Sequence, residues 1–292
     1  MTYDVIIFGI HLTLKPVAFT LPIGANGWNI YWYGIIIALG FTLAIVYGMR
    51  NAERLGLNKD RMIDAVLIVT PIAIFCARTY YVLFDGVKCE SISDFFGFSS
   101  SSGVAGIAIP GGLIGAFVSG AIVCKILKIK TADLFDLAAL GFLIGQGIGR
   151  WGNFVNQEAY GVFTGSSWWG MQSNKTIYEM GEGLVHPCFL YESIWCLLGL
   201  LIIHKLSKKR RFSGEVFLMY CAWYGFGRGF IEILRTDSLR WGAIKVTCLV
   251  GFLACAASVT LIAVLRKRIK QESGEYAAVF SENMEIENVQ ED

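Results

Sequence analysis

Charge is scarce in this chain. Only 16% of its 292 residues are Asp, Glu, Lys or Arg, against about 25% in ordinary soluble domains, so a water-facing surface is excluded for most of its length. The formal net charge of +2 is too small to build a nucleic-acid surface, and no nucleic-acid partner is expected. No CxxC occurs, and His11, His186 and His204 form no ligand cluster, which argues against a metal site. No organic cofactor is expected either. The eight cysteines do not make a disulfide framework: Cys76, Cys124, Cys196, Cys221, Cys248 and Cys255 lie inside apolar stretches, Cys188 opens one, and Cys89 lies between two. Lone thiols in such places serve as small hydrophobes. The first 29 residues lack a basic amino-terminal region and are interrupted by Lys15 and Pro16, so they do not read as a cleavable signal peptide.

What the chain has in quantity is apolar surface. Hydrophobic residues make up 55% of it and the mean hydropathy is +0.55, enough for about seven crossings of about 20 residues each. Candidate crossings run near Ile30 to Met49, Ile63 to Phe84, Val104 to Leu127, Leu134 to Gly149, Cys188 to His204, Val216 to Ile233 and Ile244 to Leu265. The fold class expected is therefore an all-α, polytopic membrane protein with about seven transmembrane helices. The fourth stretch is short, and is expected to be tilted or broken. Its Gly141, Gly145 and Gly149 share a face, which favours close helix contact.

Basic residues set the orientation. Arg50, Arg54, Lys59 and Arg61, then Lys125, Lys128 and Lys130, then the run from Lys205 to Arg211, then Arg266, Lys267, Arg268 and Lys270 fall in alternate loops. That side is cytoplasmic by the positive-inside rule, which puts the amino terminus outside and the carboxyl terminus inside. Three regions follow: residues 1–29 as an interfacial or re-entrant segment, 30–270 as the membrane domain, and 271–292 as an acidic, disordered cytoplasmic tail.

Two polar clusters interrupt the apolar pattern. GIGRWGNFVNQEAYG (147–161) holds Arg150, Asn153 and Glu158, and YGFGRGFIEILRTD (224–237) holds Arg228 and Glu232. A guanidinium at such a place is costly without an anion to hold. A ligand phosphate is one reading; an interfacial cap anchored by Trp151, and a structural Arg228–Glu232 pair at i,i+4 spacing, are the other.

The residues GRWGNFVNQEAYG resemble the signature of the bacterial prolipoprotein diacylglyceryl transferases, a pattern close to G-R-x-G-N-F-x-N-x-E-x-x-G, at every fixed position. YWYGIIIALGF (31–41), ARTYYV (77–82), GIAIPGGLIGA (106–116), HPCFLYE (186–192) and YGFGRGFIE (224–232) are similar to other segments of that family in the same order. The resemblance spans about Tyr31 to Asp237. It implies a cell-membrane enzyme that moves the diacylglyceryl group of phosphatidylglycerol to the lipobox cysteine of preprolipoproteins. Its partners would be the lipid bilayer, phosphatidylglycerol and the signal peptide, with the site toward the outer leaflet.

On this reading Arg150, Asn153 and Arg228 take the head-group phosphate, with Tyr224 and Gly161 contributing to lipid binding. Glu232 orients Arg228, and Glu158 positions Arg150 or the glycerol hydroxyls. Tyr33, His186 and Glu158 are the candidates for handling the thiol proton. One departure stands out: many family members carry His directly before Gly-Gly-Leu, where this chain has Pro110, which can neither give nor take a side-chain proton. Two alternatives are a transporter for an anionic solute, which intramembrane arginines and glycine-broken helices suit, and a lipid-binding paralogue impaired in catalysis. No repeat between the two halves favours the transporter.

Overall fold

The computed structural model describes residues 2–22, 27–84, 95, 106, 108–238, 240–242 and 244–290, with side chains as far as Glu272. Cys89 and most of the acidic tail's side chains lie outside the described residues. The chain is mostly helical. Its α-helices are α1 (Trp32–Asn51), α2 (Lys59–Phe84), α3 (Ile109–Ile126), α4 (Thr131–Asn156), the short α5 (Asn174–Met180), α6 (Cys188–Ser207), α7 (Glu215–Leu234) and α8 (Val246–Gln290). Among the described residues five are long and apolar enough to cross a membrane: α1, α2, α4, α6 and α8 over Val246–Glu272. Helix α3 is shorter, with an apolar run of Pro110–Ile126. In α7 the apolar sequence is broken chemically by Glu215, Arg228 and Glu232, while the backbone stays helical.

Helix α4 departs from expectation. It is neither short nor broken but runs for 26 residues, so Arg150 and Asn153 sit on its last turns rather than in irregular backbone beyond it. A glycine inside a helix costs about 1 kcal/mol against alanine, but here the glycines are where neighbours come close. A side chain at Gly147 would meet Leu197 and Cys196 of α6, and one at Gly149 would meet Ile37 of α1. Close packing on both sides offsets the propensity loss. The helix stops at Gln157, a C-cap at φ 51°, whose N–H reaches Phe154 O.

The apolar core between α4, α6 and α7 contains Leu137, Leu140, Leu143, Cys196, Ile203 and Val216. Outside it, large apolar side chains such as Leu67, Ile74, Ile126, Leu201, Val250 and Leu253 are exposed. So much uncovered apolar surface is stable only in a non-aqueous surrounding, and the chain is a membrane protein.

The expectation of an all-helical chain needs one correction: the connections carry short strands. β1 (Tyr3–Ile7) and β2 (Ile10–Leu14) form a hairpin, turned at Phe8 and Gly9, both with positive φ as a two-residue hairpin loop requires. β1 pairs on its other edge with β5 (Met171–Ser173), while β3 (Val17–Leu21) pairs with β4 (Trp28–Tyr31), and β6 (Arg240–Trp241) with β7 (Ile244–Lys245). Alternate residues of β1, Tyr3, Val5 and Ile7, are buried against Phe154, Tyr160, Met171, Val185 and Phe189. These strands escape a hydropathy reading because they are short and their apolar residues resemble the flanks of a crossing. Through its pairing with β5 and its buried side chains, β1 seats the 157–187 connection over one end of α4 and α6.

Candidate active site

Helix α6 is locked to α4 before any charge is considered. Trp151 Nε1 donates to Ser193 Oγ at 3.2 Å, Ser193 Oγ donates to Gly147 O at 2.7 Å, and the rings of Phe154 and Phe189 stack at 4.6 Å. This register brings Glu192, on the second turn of α6, face to face with Arg150. Helix α7 presents Tyr224, Arg228 and Glu232 at successive i,i+4 positions along one face. Tyr220, one turn earlier, accepts from Gln146 Nε2 at 2.9 Å, tying α7 to α4.

One carboxylate then joins both arginines. Arg150 Nη2 is paired with Glu192 Oε1, which also accepts from Tyr224 OH at 2.8 Å. Arg228 Nη1 donates to Glu192 Oε2 at 2.9 Å. On its outer side Arg150 Nη1 donates to Asn153 Oδ1 at 3.2 Å. Arg228 Nη2 lies 2.6 Å from Glu232 Oε2, but off the N–H direction, and that oxygen accepts no hydrogen bond. The contact is therefore ionic only. The Glu192 side chain is 2% exposed, while those of Arg150 and Arg228 are 20% and 14% exposed. The anion is buried, and the two cations are partly exposed.

A guanidinium carries five N–H donors, and among the described contacts neither arginine uses them all. Fixed donors in a poorly hydrated site, held in place before a ligand arrives, are what a phosphate or a developing oxyanion needs.

Around this core the other expected residues take distinct places. The ring of Tyr33, on the first turn of α1, packs on Gly152, where an added Cβ would come within 2.6 Å of it. Tyr33 is within electrostatic range of Arg150 and Glu158. Gly161 is threaded between the start of α6 and the end of α7: its N–H donates to His186 O, and a side chain there would meet His186, Cys188 Sγ and Leu234 O at under 3 Å. Only glycine fits that crossing.

Two expected residues are not brought to the arginines. Glu158 is exposed and, among the described contacts, forms no ion pair with Arg150; Glu192 occupies that role. His186 Nδ1 is 3.0 Å from Tyr191 OH, and burial lowers its pKa, which keeps the ring neutral near pH 7. Pro110 sits in the first turn of α3, where proline is well tolerated.

Glu192 and Arg235 join this ionic cluster although the sequence reading left them without a role. Glu192 was visible as the one acidic residue in the α6 stretch, a costly feature in lipid. Arg235 is one further helical repeat beyond Arg228 and Glu232. It binds Asp237 through Nε at 2.9 Å and Nη2 at 2.6 Å, and stands 3.9 Å from Glu232. Lys245 Nζ caps α7 by donating to the carbonyls of Glu232, Ile233 and Arg235. Beside this end lies an open cleft of about 390 Å³ lined by Glu158, Ala159, Tyr160, Lys175, Glu179, Met180, Thr236 and Asp237. Among the described residues no three His, Cys, Asp or Glu side chains converge as a metal site.

A polytopic membrane protein with two arginines joined by one buried carboxylate is thus the class that fold and geometry define. The chain belongs to the prolipoprotein diacylglyceryl transferase family, whose model matches residues 16–264. A phosphatidylglycerol-prolipoprotein diacylglyceryl transferase of Bacillus cytotoxicus is 41% identical over 242 residues, covering 82% of this chain and 88% of the relative. Proteins of the same name from Bacillus velezensis and Bacillus licheniformis are 43% identical over 234 residues and 40% over 261, covering 77% and 87% of this chain and 82% and 93% of their own.

Proposed function

We propose that this chain transfers the diacylglyceryl group of phosphatidylglycerol to the lipobox cysteine of preprolipoproteins. The cysteine sulfur forms a thioether bond to the glycerol carbon, and the bond from that carbon to the phosphate oxygen breaks. The electron pair leaves on glycerol phosphate, and the thiol proton passes by way of a proton-handling group to solvent. Family membership and the relatives' names support the reading. The observation that carries it on this chain is a buried Glu192 shared by Arg150 and Arg228, whose side chains stay partly exposed and, among the described contacts, keep unpaired N–H groups.

The phosphodiester carries one negative charge in the lipid, and the departing monoester gains another. Guanidiniums fixed beforehand favour that increase over the ground state, which lowers the barrier. The nucleophile comes with the peptide substrate. A thiol of pKa about 8.5 is only a few per cent ionised near neutrality, so the cationic field also serves to favour thiolate. With proline at position 110, Tyr33 is the proton-handling candidate packed beside the Arg150 turn; Glu158 and His186 stand further out in role.

In the membrane, α1, α2, α3, α4, α6, α7 and α8 make seven crossings, with the basic loops in the cytoplasm and the amino-terminal strands outside. Arg150 and Arg228 then lie in the outer half of the bacterial cell membrane, where lipid and signal peptide enter from the side. The acidic tail is cytoplasmic. A site at one end of the helices, rather than at midplane, is unlike a transporter's.

The test uses purified protein in phosphatidylglycerol micelles with a lipobox peptide, read as thioether-lipidated peptide. Arg150→Ala and Arg228→Ala are each expected to abolish product; full activity in both would refute the site.

A further inference from the structure

We infer that Glu192 is a positioning residue for the transfer, a yoke that aligns Arg150 with Arg228 so that both meet the phosphate together. The inference rests on the lipid-transfer reading above and adds a residue to it.

Both carboxylate oxygens are committed, Oε1 to Arg150 and Tyr224, Oε2 to Arg228. The carboxylate is set by the α4–α6 clamp of Trp151, Ser193 and Gly147 and by the Phe154–Phe189 stack, so its place does not depend on bound lipid. At 2% exposure it is out of reach of a ligand. Two guanidiniums at one site repel each other, and a phosphate arriving between unaligned cations would have to reorganise them during the reaction. The shared carboxylate offsets that repulsion in advance, and a preorganised charge needs no rearrangement at the moment of bond breaking.

Retention and alignment are separable here. Arg150 keeps Asn153, and Arg228 keeps the 2.6 Å contact with Glu232, so both cations stay in the site without Glu192. Removing its charge is therefore expected to reduce turnover more than lipid affinity, a split that a purely structural residue would not produce.

Glu192→Gln tests this with little change of shape. Its amide oxygen still accepts from Arg150 and Tyr224, but its NH2 group faces Arg228 Nη1, donor against donor. With phosphatidylglycerol micelles and a lipobox peptide, kcat is expected to fall about 100-fold. Binding of phosphatidylglycerol vesicles is expected to be unchanged or tighter, since a negative charge has gone from behind the site. A kcat within about threefold of wild type would overturn the yoke, as would a loss of kcat/KM carried by weaker lipid binding. Should Glu192→Gln not fold, Glu192→Asp decides. It keeps the charge but is one methylene too short to span both arginines, so about a tenfold lower kcat with unchanged binding is expected, and normal kcat overturns the proposal. Wild type and Arg150→Ala run alongside. If wild type makes no thioether peptide, the lipid-transfer reading itself fails; if they differ as expected and Glu192→Gln turns over normally, only the yoke fails.

Discussion

Helices α4 and α7 carry a buried ionic cluster at each end, and the two are built around opposite central charges. At one end a single guanidinium, Arg210, lies between two carboxylates, 2.9 Å from Asp133 and 2.9 Å from Asp136, and donates also to Leu55 O. Asp136 further accepts the backbone N–H groups of Gly214 and Phe217, and Glu215 accepts Arg211 N and pairs with Arg266. At the other end a single carboxylate, Glu192, lies between two guanidiniums. Exposure does not separate them, since the Arg210 and Arg150 side chains are 19% and 20% exposed. What differs is satisfaction. The anion-rich cluster is closed by main-chain donors to Asp136 and Glu215, while the carboxylate shared by the two arginines takes only side-chain donors.

That contrast can be broken from either side. Arg228→Ala is expected to cost about 1000-fold in thioether-peptide formation, whereas Asp136→Ala is expected to leave activity per folded molecule within about threefold while lowering stability by about 3–5 kcal/mol, read by thermal unfolding in detergent. Comparable activity losses in the two would erase the distinction. Arg228→Lys keeps the charge and removes the planar fork. About a 100-fold loss is expected in the same assay, and wild-type turnover would mean that charge alone suffices.

A smaller effect is expected at Gly152→Ala, whose new methyl meets the Tyr33 ring at 2.6 Å. Displacing that ring should lower kcat about tenfold, since misplacement near the reacting atoms is felt steeply; an unchanged kcat would remove Tyr33 from the reaction. The smallest concerns His186, whose pKa burial lowers from the ordinary value of 6.5. The unfolded chain then binds the proton more readily than the folded one, so the associated stability is full above about pH 6.5 and declines as pH falls toward the folded pKa. His186→Gln is expected to flatten melting temperature between pH 7 and 5 relative to wild type, and identical pH profiles would refute the assignment.

Much of this architecture could be read from residue order. Apolar runs of helical length located the starts of the seven long helices within a few residues, because lipid demands that length and composition, but not the ends of α4 and α8, which run on into polar sequence. The turn at Phe8 and Gly9 was illegible, since a five-residue strand leaves little periodic signal. So was the continuity of α4: its apolar stretch ends near Gly149, and only the structure shows the helix carrying on through the polar signature to Asn156. In the site, Tyr224 came in only through the family resemblance, whereas Arg150, Asn153, Arg228 and Glu232 were legible as polar residues misplaced in apolar sequence. The partner of Arg150 was not. Glu158 is eight residues from it and Glu192 forty-two, and the nearer carboxylate was the natural guess.

Composition and order alone were enough to establish a membrane-embedded helical protein, and the arginine signature was enough to place it among lipid-modifying transferases, because both are properties of residue type and local spacing. Which carboxylate holds the arginines, and which charges merely brace the helices, was settled only when α6 came against α4 and α7. Ion pairing depends on distances between side chains remote in sequence, and packing alone sets those.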